Sequence, residues 1–341
     1  MSTFRSILLV LVFSCGVAAS AQAQYAGAFS RIGFGARGIS MGNALAADVF
    51  GAASTYYNPA HAPLAEGQYL EASIATLSFD RSLQFLQIGA PLQQRAGFAI
   101  GIIHASVSDI DGRDNSGFHT GNLSVDEYAG FLSFGLRFSD KVSGGINLQL
   151  FRTDLFDGLE PARTIGVDIG LAVRLSDSWA TAIVLDDLLA RYSWDSSDLG
   201  SGGRNVTDSF PRRIRLGLTN RRFGNTLLLS AEFESRTTNV DSYTTVTRIF
   251  GDSPAETREE TSLTLRESRF RFGVEYVPAD GFAIRAGMEQ LGSEVLDSVR
   301  PSAGFMAEQP MGELLLRAEY AFGYEAKAAG TMHLISIKLF L

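Results

Sequence analysis

Cysteine is nearly missing. The 341-residue chain has one, Cys15, so no disulfide framework holds the fold. Proline is scarce at nine residues, and glycine is about one residue in ten, which excludes a collagen-like chain. Charged residues make up 19%, below the roughly 25% usual for a soluble domain. No apolar run beyond residue 20 reaches the roughly 18 residues that a membrane-spanning helix requires, so a helical membrane protein is excluded. The net charge is −8, the wrong sign for a nucleic-acid partner. Aromatic residues at 11% argue against intrinsic disorder.

The first 23 residues read as a secretory signal peptide. Arg5 supplies the positive start, Ile7 to Phe13 the apolar stretch, and Ala21-Gln22-Ala23 a small-residue cleavage site. Ser14-Cys15 is a weak match to a lipoprotein site because Phe13 precedes it. Cys15 falls inside the leader, so the expected mature chain has no thiol.

What fills the rest is alternation of period two. From Thr164 to Leu175, Ile165, Val167, Ile169, Leu171, Val173 and Leu175 share one face, and Thr164, Gly166, Asp168, Gly170, Ala172 and Arg174 share the other. Such a run is a strand with one apolar and one polar side. The same rhythm predicts fourteen strands: 68–79, 82–91, 95–109, 123–138, 142–154, 164–176, 179–193, 210–222, 226–238, 262–277, 281–290, 300–308, 312–325 and 330–341. Short connections at Pro91 to Gln94, Ser139 to Lys141, Asp177 to Ser178, Phe223 to Asn225, Pro278 to Asp280 and Gln309 to Met311 alternate with mostly long ones. The long ones are Ile110 to Asn122, Leu155 to Arg163, Trp194 to Ser209, Asn239 to Thr261 and Leu291 to Val299.

An even strand count, short turns at one end and long loops at the other predict a transmembrane antiparallel β-barrel of an outer membrane, with both termini in the periplasm. A soluble sandwich would use strands of five or six residues and would not segregate its turns. The polar face carries Arg137, Arg174, Arg213, Arg215, Arg271, Arg285 and Arg317 against Asp168, Glu232, Glu234, Glu275 and Glu319. These predict a polar, wet lumen, since fourteen strands enclose more space than side chains fill. Tyr128, Phe138, Trp179, Tyr192, Tyr276, Phe282, Tyr320 and Phe340 lie near strand ends, where interfacial girdles belong.

Residues 24–66 break this rhythm. They are rich in Gly and Ala, with no alternating run. Three units follow: leader 1–23, segment 24–66 and barrel 67–341. The apolar content of 24–66 disfavours an exposed tail, so it is expected to fold into the lumen as a plug or hatch.

Two blocks in this segment carry a resemblance. They are Gly35-Ala36-Arg37-Gly38-Ile39-Ser40-Met41-Gly42-Asn43-Ala44 and, after Asp48, Ala53-Ser54-Thr55-Tyr56-Tyr57-Asn58-Pro59-Ala60. They resemble the opening of the PorV/PorQ family, which is grouped with FadL-like outer-membrane barrels. Asp109 to Asp114, Tyr192 to Asp195, Phe210 to Gly217 and His333 to Ile337 are similar to the same family. His61 departs from it, standing where members usually carry Gly, and so does the Phe340-Leu341 end. The resemblance implies a fourteen-stranded barrel whose hatch contains Gly35, Arg37, Gly38, Met41, Gly42, Asp48, Tyr56, Tyr57, Asn58 and Pro59. It also implies one of two roles. The first is a part in type IX-like protein export, with secretion proteins or cargo as partners. The second, from FadL relatives, is uptake of hydrophobic small molecules.

No catalytic or cofactor chemistry is expected. Gly33-x-Gly35-x-x-Gly38 matches a dinucleotide fingerprint but lacks its βαβ setting. Its glycines more readily serve positive φ or close packing. Asp109, Asp111 and Asp114 lack EF-hand spacing. His61, His104, His119 and His333 lack zinc spacing, and there is no nucleophile elbow. Asp186 and Asp187 are expected on opposite faces of a strand.

Overall fold

A computed structural model describes residues 26–51, 54–92, 95–155, 159–195, 205–250, 253–291, 299–325 and 330–341, with side chains omitted for 240–262. The expected leader lies outside the described residues, as do the tips of several loops.

Sixteen strands form among the described residues. They are β1 (Tyr69–Leu77), β2 (Arg81–Leu92), β3 (Ala96–Arg113), β4 (His119–Arg137), β5 (Val142–Asp154), β6 (Ala162–Arg174), β7 (Trp179–Asp186), β8 (Arg191–Asp195), β9 (Asn205–Ser209), β10 (Arg212–Arg222), β11 (Leu227–Phe250), β12 (Ser253–Ala279), β13 (Phe282–Leu291), β14 (Arg300–Met311), β15 (Leu314–Glu325) and β16 (Gly330–Phe340). All but β8 and β9 close into one antiparallel barrel of fourteen strands, sealed by β1 against β16. Strands β8 and β9 make a separate hairpin.

The alternation decides which side chains face out. Ile146, Leu148, Leu150, Ile165, Ile169 and Leu171 are exposed on the outer wall. Asn147, Asp168, Arg215, Glu232, Glu234 and Arg271 are buried on the inner side. This is inverted relative to a soluble protein, because the solvent of the wall is hydrocarbon.

Three departures from the sequence expectation have local causes. The predicted loops 110–122 and 239–261 are largely strand, as β3 with β4 and β11 with β12 run on to Arg113, His119, Phe250 and Ser253. At the β3–β4 extension, where nearly every residue from Asp109 to Asn122 is exposed, a hairpin wet on both faces needs no alternation. The third departure is the predicted strand 179–193. It stops at Asp186, where Asp187 takes a left-handed φ of 57°. Tyr192, expected in a girdle, is consequently buried on the inner side. Phe340 lies under Lys338 and Arg317, within 5.4 Å and 4.9 Å of their cations.

Candidate functional site

Residues 26–66 pack against inward side chains around the wall. The 3₁₀ turn Ala28–Arg31, the short helix Gly35–Ser40 and the 3₁₀ turn Pro59–Leu64 are the regular pieces. The helix abuts β13 to β16 and β1, and the turn Pro59–Leu64 abuts β2 to β6.

Arg37 joins segment to wall. Its Nη1 donates to Asp48 Oδ2 at 2.5 Å, while Nε and Nη2 donate to the two Glu275 oxygens at 3.0 and 3.1 Å. Asp48 Oδ1 accepts from the Phe50 and Gly51 amides, so this carboxylate closes its own loop while holding the guanidinium. Glycine is required at two points. A Cβ on Gly38 would collide with the Tyr57 hydroxyl. Gly42 has φ +60° and touches wall backbone, where a Cβ would sit 2.6 Å from Met288 N and 2.7 Å from Phe272 O. Met41 is fully buried beside it.

The Tyr56-Tyr57-Asn58-Pro59 block is a hydrogen-bonded corner. Tyr56 donates to Ser30 O at 2.6 Å, and Tyr57 donates to Asn43 Oδ1 at 2.6 Å while accepting from the Phe34 amide at 3.0 Å. Asn58 caps the following turn, accepting from Ala60 N at 2.9 Å, and donates to Ala46 O at 2.8 Å. Burial pushes the Tyr56 phenol up to about 12, so it stays a neutral donor. His61 follows in the 3₁₀ turn, fully enclosed, and none of its neighbours there needs a glycine conformation. Burial lowers its imidazole to about 4, leaving it neutral.

The predicted lumen charges are all on the inner side, but they meet protein rather than an open channel. Arg215 forks onto Asp186 at 2.6 and 2.8 Å and also donates to Tyr57 O at 2.7 Å. Arg213 reaches Asp187 at 3.1 Å and Glu234 at 3.6 Å. Arg271 bridges Glu232 and Glu234. Arg285 links Glu275 at 2.6 Å to Glu319 at 3.4 Å, and Arg317 pairs with Glu308. Arg137 donates to Pro63 O at 2.9 Å, and Arg174 to Val49 O at 3.4 Å. At this depth the inward charges pair with one another and with described residues of the N-terminal segment. Asp168 accepts from Asn147, Gln149 and the Asp187 amide. The bend at Asp187 brings Asp186 and Asp187 onto one cluster with Arg213, against the expectation that they diverge. Among the described residues no group of His, Cys, Asp and Glu is arranged to hold a metal.

The sequence reading missed an aromatic cluster. Phe29, Phe151, Phe210, Tyr192, Ala162 and Ala190 are buried together on the inner side. Ring centroids lie 6.5 Å apart for Phe29 and Phe151, 4.8 Å for Phe151 and Phe210, and 5.0 Å for Tyr192 and Phe210. A neighbouring group sets Phe34 4.8 Å from Phe85 and 6.0 Å from Phe131. A signal was available: Phe151 continues the polar face Ser143, Gly145, Asn147, Gln149, where an apolar ring is out of place.

The cluster lies beside a break in the wall. Strands β6 and β7 pair only from Ile169 with Leu185 to Arg174 with Ala180. Above that, the upper part of β6 meets residues 188–191 through two bonds, Leu188 N to Val167 O and Arg191 N to Thr164 Oγ1, each 3.2 Å.

No family profile and no curated protein matches the sequence. Solved structures do match its fold. The Pseudomonas putida toluene transporter TodX aligns with TM-score 0.60 at 14% identity, over 90% of this chain and 96% of that one. The CymD monoaromatic hydrocarbon channel aligns at 0.59 and 14%, over 90% and 96%. A Pseudomonas aeruginosa FadL homologue aligns at 0.58 and 11%, over 90% and 98%. The fold is FadL-like. The narrower PorV/PorQ resemblance finds no support in these matches.

Proposed function

We propose that this FadL-like barrel is a non-enzymatic outer-membrane channel for uptake of hydrophobic small molecules, with residues 24–66 as its hatch. The observation that carries the reading is the aromatic cluster of Phe151, Tyr192 and Phe210, placed on the inner wall beside the break between β6 and β7. An apolar solute gains nothing from a charged lumen. It gains from an aromatic seat, at about 25 cal/mol per Å² of apolar surface removed from water. Beside that seat two hydrogen bonds replace a continuous ladder, so this is the part of the wall that opens towards the bilayer at least cost. Transport of aromatic hydrocarbons by barrels of the same fold supports the choice of solute class. The export role has no such observation behind it, and uptake is preferred.

The test is accumulation of radiolabelled toluene by intact cells with and without the protein. Faster accumulation is expected with it. Equal rates at matched amounts of folded barrel would sink the reading, and co-purification of secretion proteins from detergent-solubilised membranes would favour export instead.

A further inference from the structure

On the outside of the same wall, strands β5 and β6 form a ladder of apolar rungs: Gly144 with Leu171, Ile146 with Ile169, Leu148 with Val167, and Leu150 with Ile165. Leu150 and Ile165 are 60% and 51% exposed, as lipid-facing side chains are. The next outward rung is Arg152 directly opposite Arg163, both exposed. From Gly144 to Arg152 the strand climbs roughly 20 Å at a tilt of about 40°, close to the height of the apolar band of a membrane barrel. The arginines therefore stand at headgroup level on the long-loop rim.

Two like charges directly opposite on one face of a sheet repel. Arg152 is partly offset by Asp154, at 3.0 and 3.2 Å. Arg163 makes no ion pair among the described residues. Arg191, whose amide bonds Thr164 beside it, is also exposed and makes no ion pair among the described residues. Tyr128, opposite Arg152 on β4, extends the row with an amphipathic ring. A line of guanidinium groups above an exposed apolar column matches one kind of molecule on both counts. Its headgroup carries a phosphate that the planar forks can grip, and its chains lie along Leu150 and Ile165.

We propose that Arg152, Arg163 and Arg191 form a docking site for a membrane lipid with a net-negative phosphate headgroup. The site is separate from the lumen and does not depend on what the channel carries. The lipid's charge relieves the Arg152–Arg163 repulsion, so occupancy also steadies the upper part of β6 beside the wall break.

The experiment is native mass spectrometry of the purified full-length barrel in detergent, with phosphatidylglycerol and phosphatidylcholine at equal concentration. The parent is expected to retain phosphatidylglycerol preferentially. Arg152→Gln with Arg163→Gln should weaken that preference by about tenfold or more, since each basic group near a lipid surface contributes roughly a factor of five. Arg191→Gln alone tests the same site independently if the first pair impairs folding, with an expected loss of about fivefold. Lys141→Gln, at the short-turn end, should change nothing. No preference in the parent, or a preference that survives both the double and the single variant, overturns the proposal. Displacement of the lipid by millimolar inorganic phosphate alone would also overturn it, as the site would then bind free anion and not a lipid.

Discussion

Arg37 and Glu275 meet through two parallel hydrogen bonds of 3.0 and 3.1 Å, although 238 residues separate them in sequence. One belongs to the N-terminal segment and the other to wall strand β12. With Asp48 on the same guanidinium and Arg285 on the same carboxylate, the segment is tied to the wall by a buried ionic chain. Removing one partner leaves uncompensated charge, which costs about 3–5 kcal/mol. Arg37→Met is therefore expected to loosen the segment while the barrel still forms. Larger or noisier single-channel conductance, with unchanged heat-modifiable gel mobility, is the expected record. Conductance equal to the parent's would show that this contact does not retain the segment.

Adjacent residues on β6 should fail in different ways. Ile169 is exposed to lipid, and Ile169→Arg is expected to cost the barrel roughly 2–4 kcal/mol, measured by urea unfolding in lipid. Gly170 faces inward, where a Cβ would overlap the Asn58 side chain and sit 2.9 Å from Pro59 Cδ. Gly170→Ala should spare the barrel and displace the segment, read as protease sensitivity of residues 24–66. The inner face is thus no permissive site here, because the segment is seated against it. Equal unfolding penalties for the two variants would refute the assignment of faces.

His61 supplies a pH dependence with a definite sign. Its folded pKa of about 4 lies below the ordinary 6.5. Above about pH 6.5 it is neutral in both states and its contribution is constant. As pH falls from 6.5 towards 4, the released segment takes a proton that the seated one refuses, and retention weakens by up to about 3 kcal/mol. Protease release of the segment should rise over that window and rise less in His61→Gln. Identical pH profiles for parent and variant would rule the histidine out as the cause.

The aromatic seat is tested by Phe210→Ala. Phe210 touches both Phe151 and Tyr192, and its loss removes about 3–5 kcal/mol of packing. If uptake uses this seat, toluene accumulation should change several-fold with the barrel intact, while Phe322→Ala on the outer wall should not alter it. Matching rates for both variants and the parent would move the solute path elsewhere.

Orientation is open to direct labelling, since Cys15 is the chain's only cysteine. A cysteine at Gly117, at the tip between β3 and β4, is expected to react with an impermeant thiol reagent on intact cells, and one at Asp140 is not. The reverse pattern would turn the barrel over.

The strands were legible because alternation reports a two-sided environment. Any residue run with lipid on one face and protein on the other must switch polarity at every step, whatever its partners. That Ile169 and Asp168 take opposite faces follows from period two alone, and the lengths of turns and loops then put Ile169 outward; the fourteen barrel strands were legible in the same way, the β8–β9 hairpin was not. The unusual character of residues 24–66 was equally visible, as a stretch where that period fails. Alternation assigns a face and no neighbour. That Phe29 reaches Phe151, that Asp187 folds back to Asp168, and that Arg152 stands opposite Arg163 depend on register, on barrel closure and on one left-handed residue at 187. The first joins residues 122 apart, and the other two depend on where a hairpin's register falls and where its strand bends, which alternation does not specify, so only the tertiary structure could decide them.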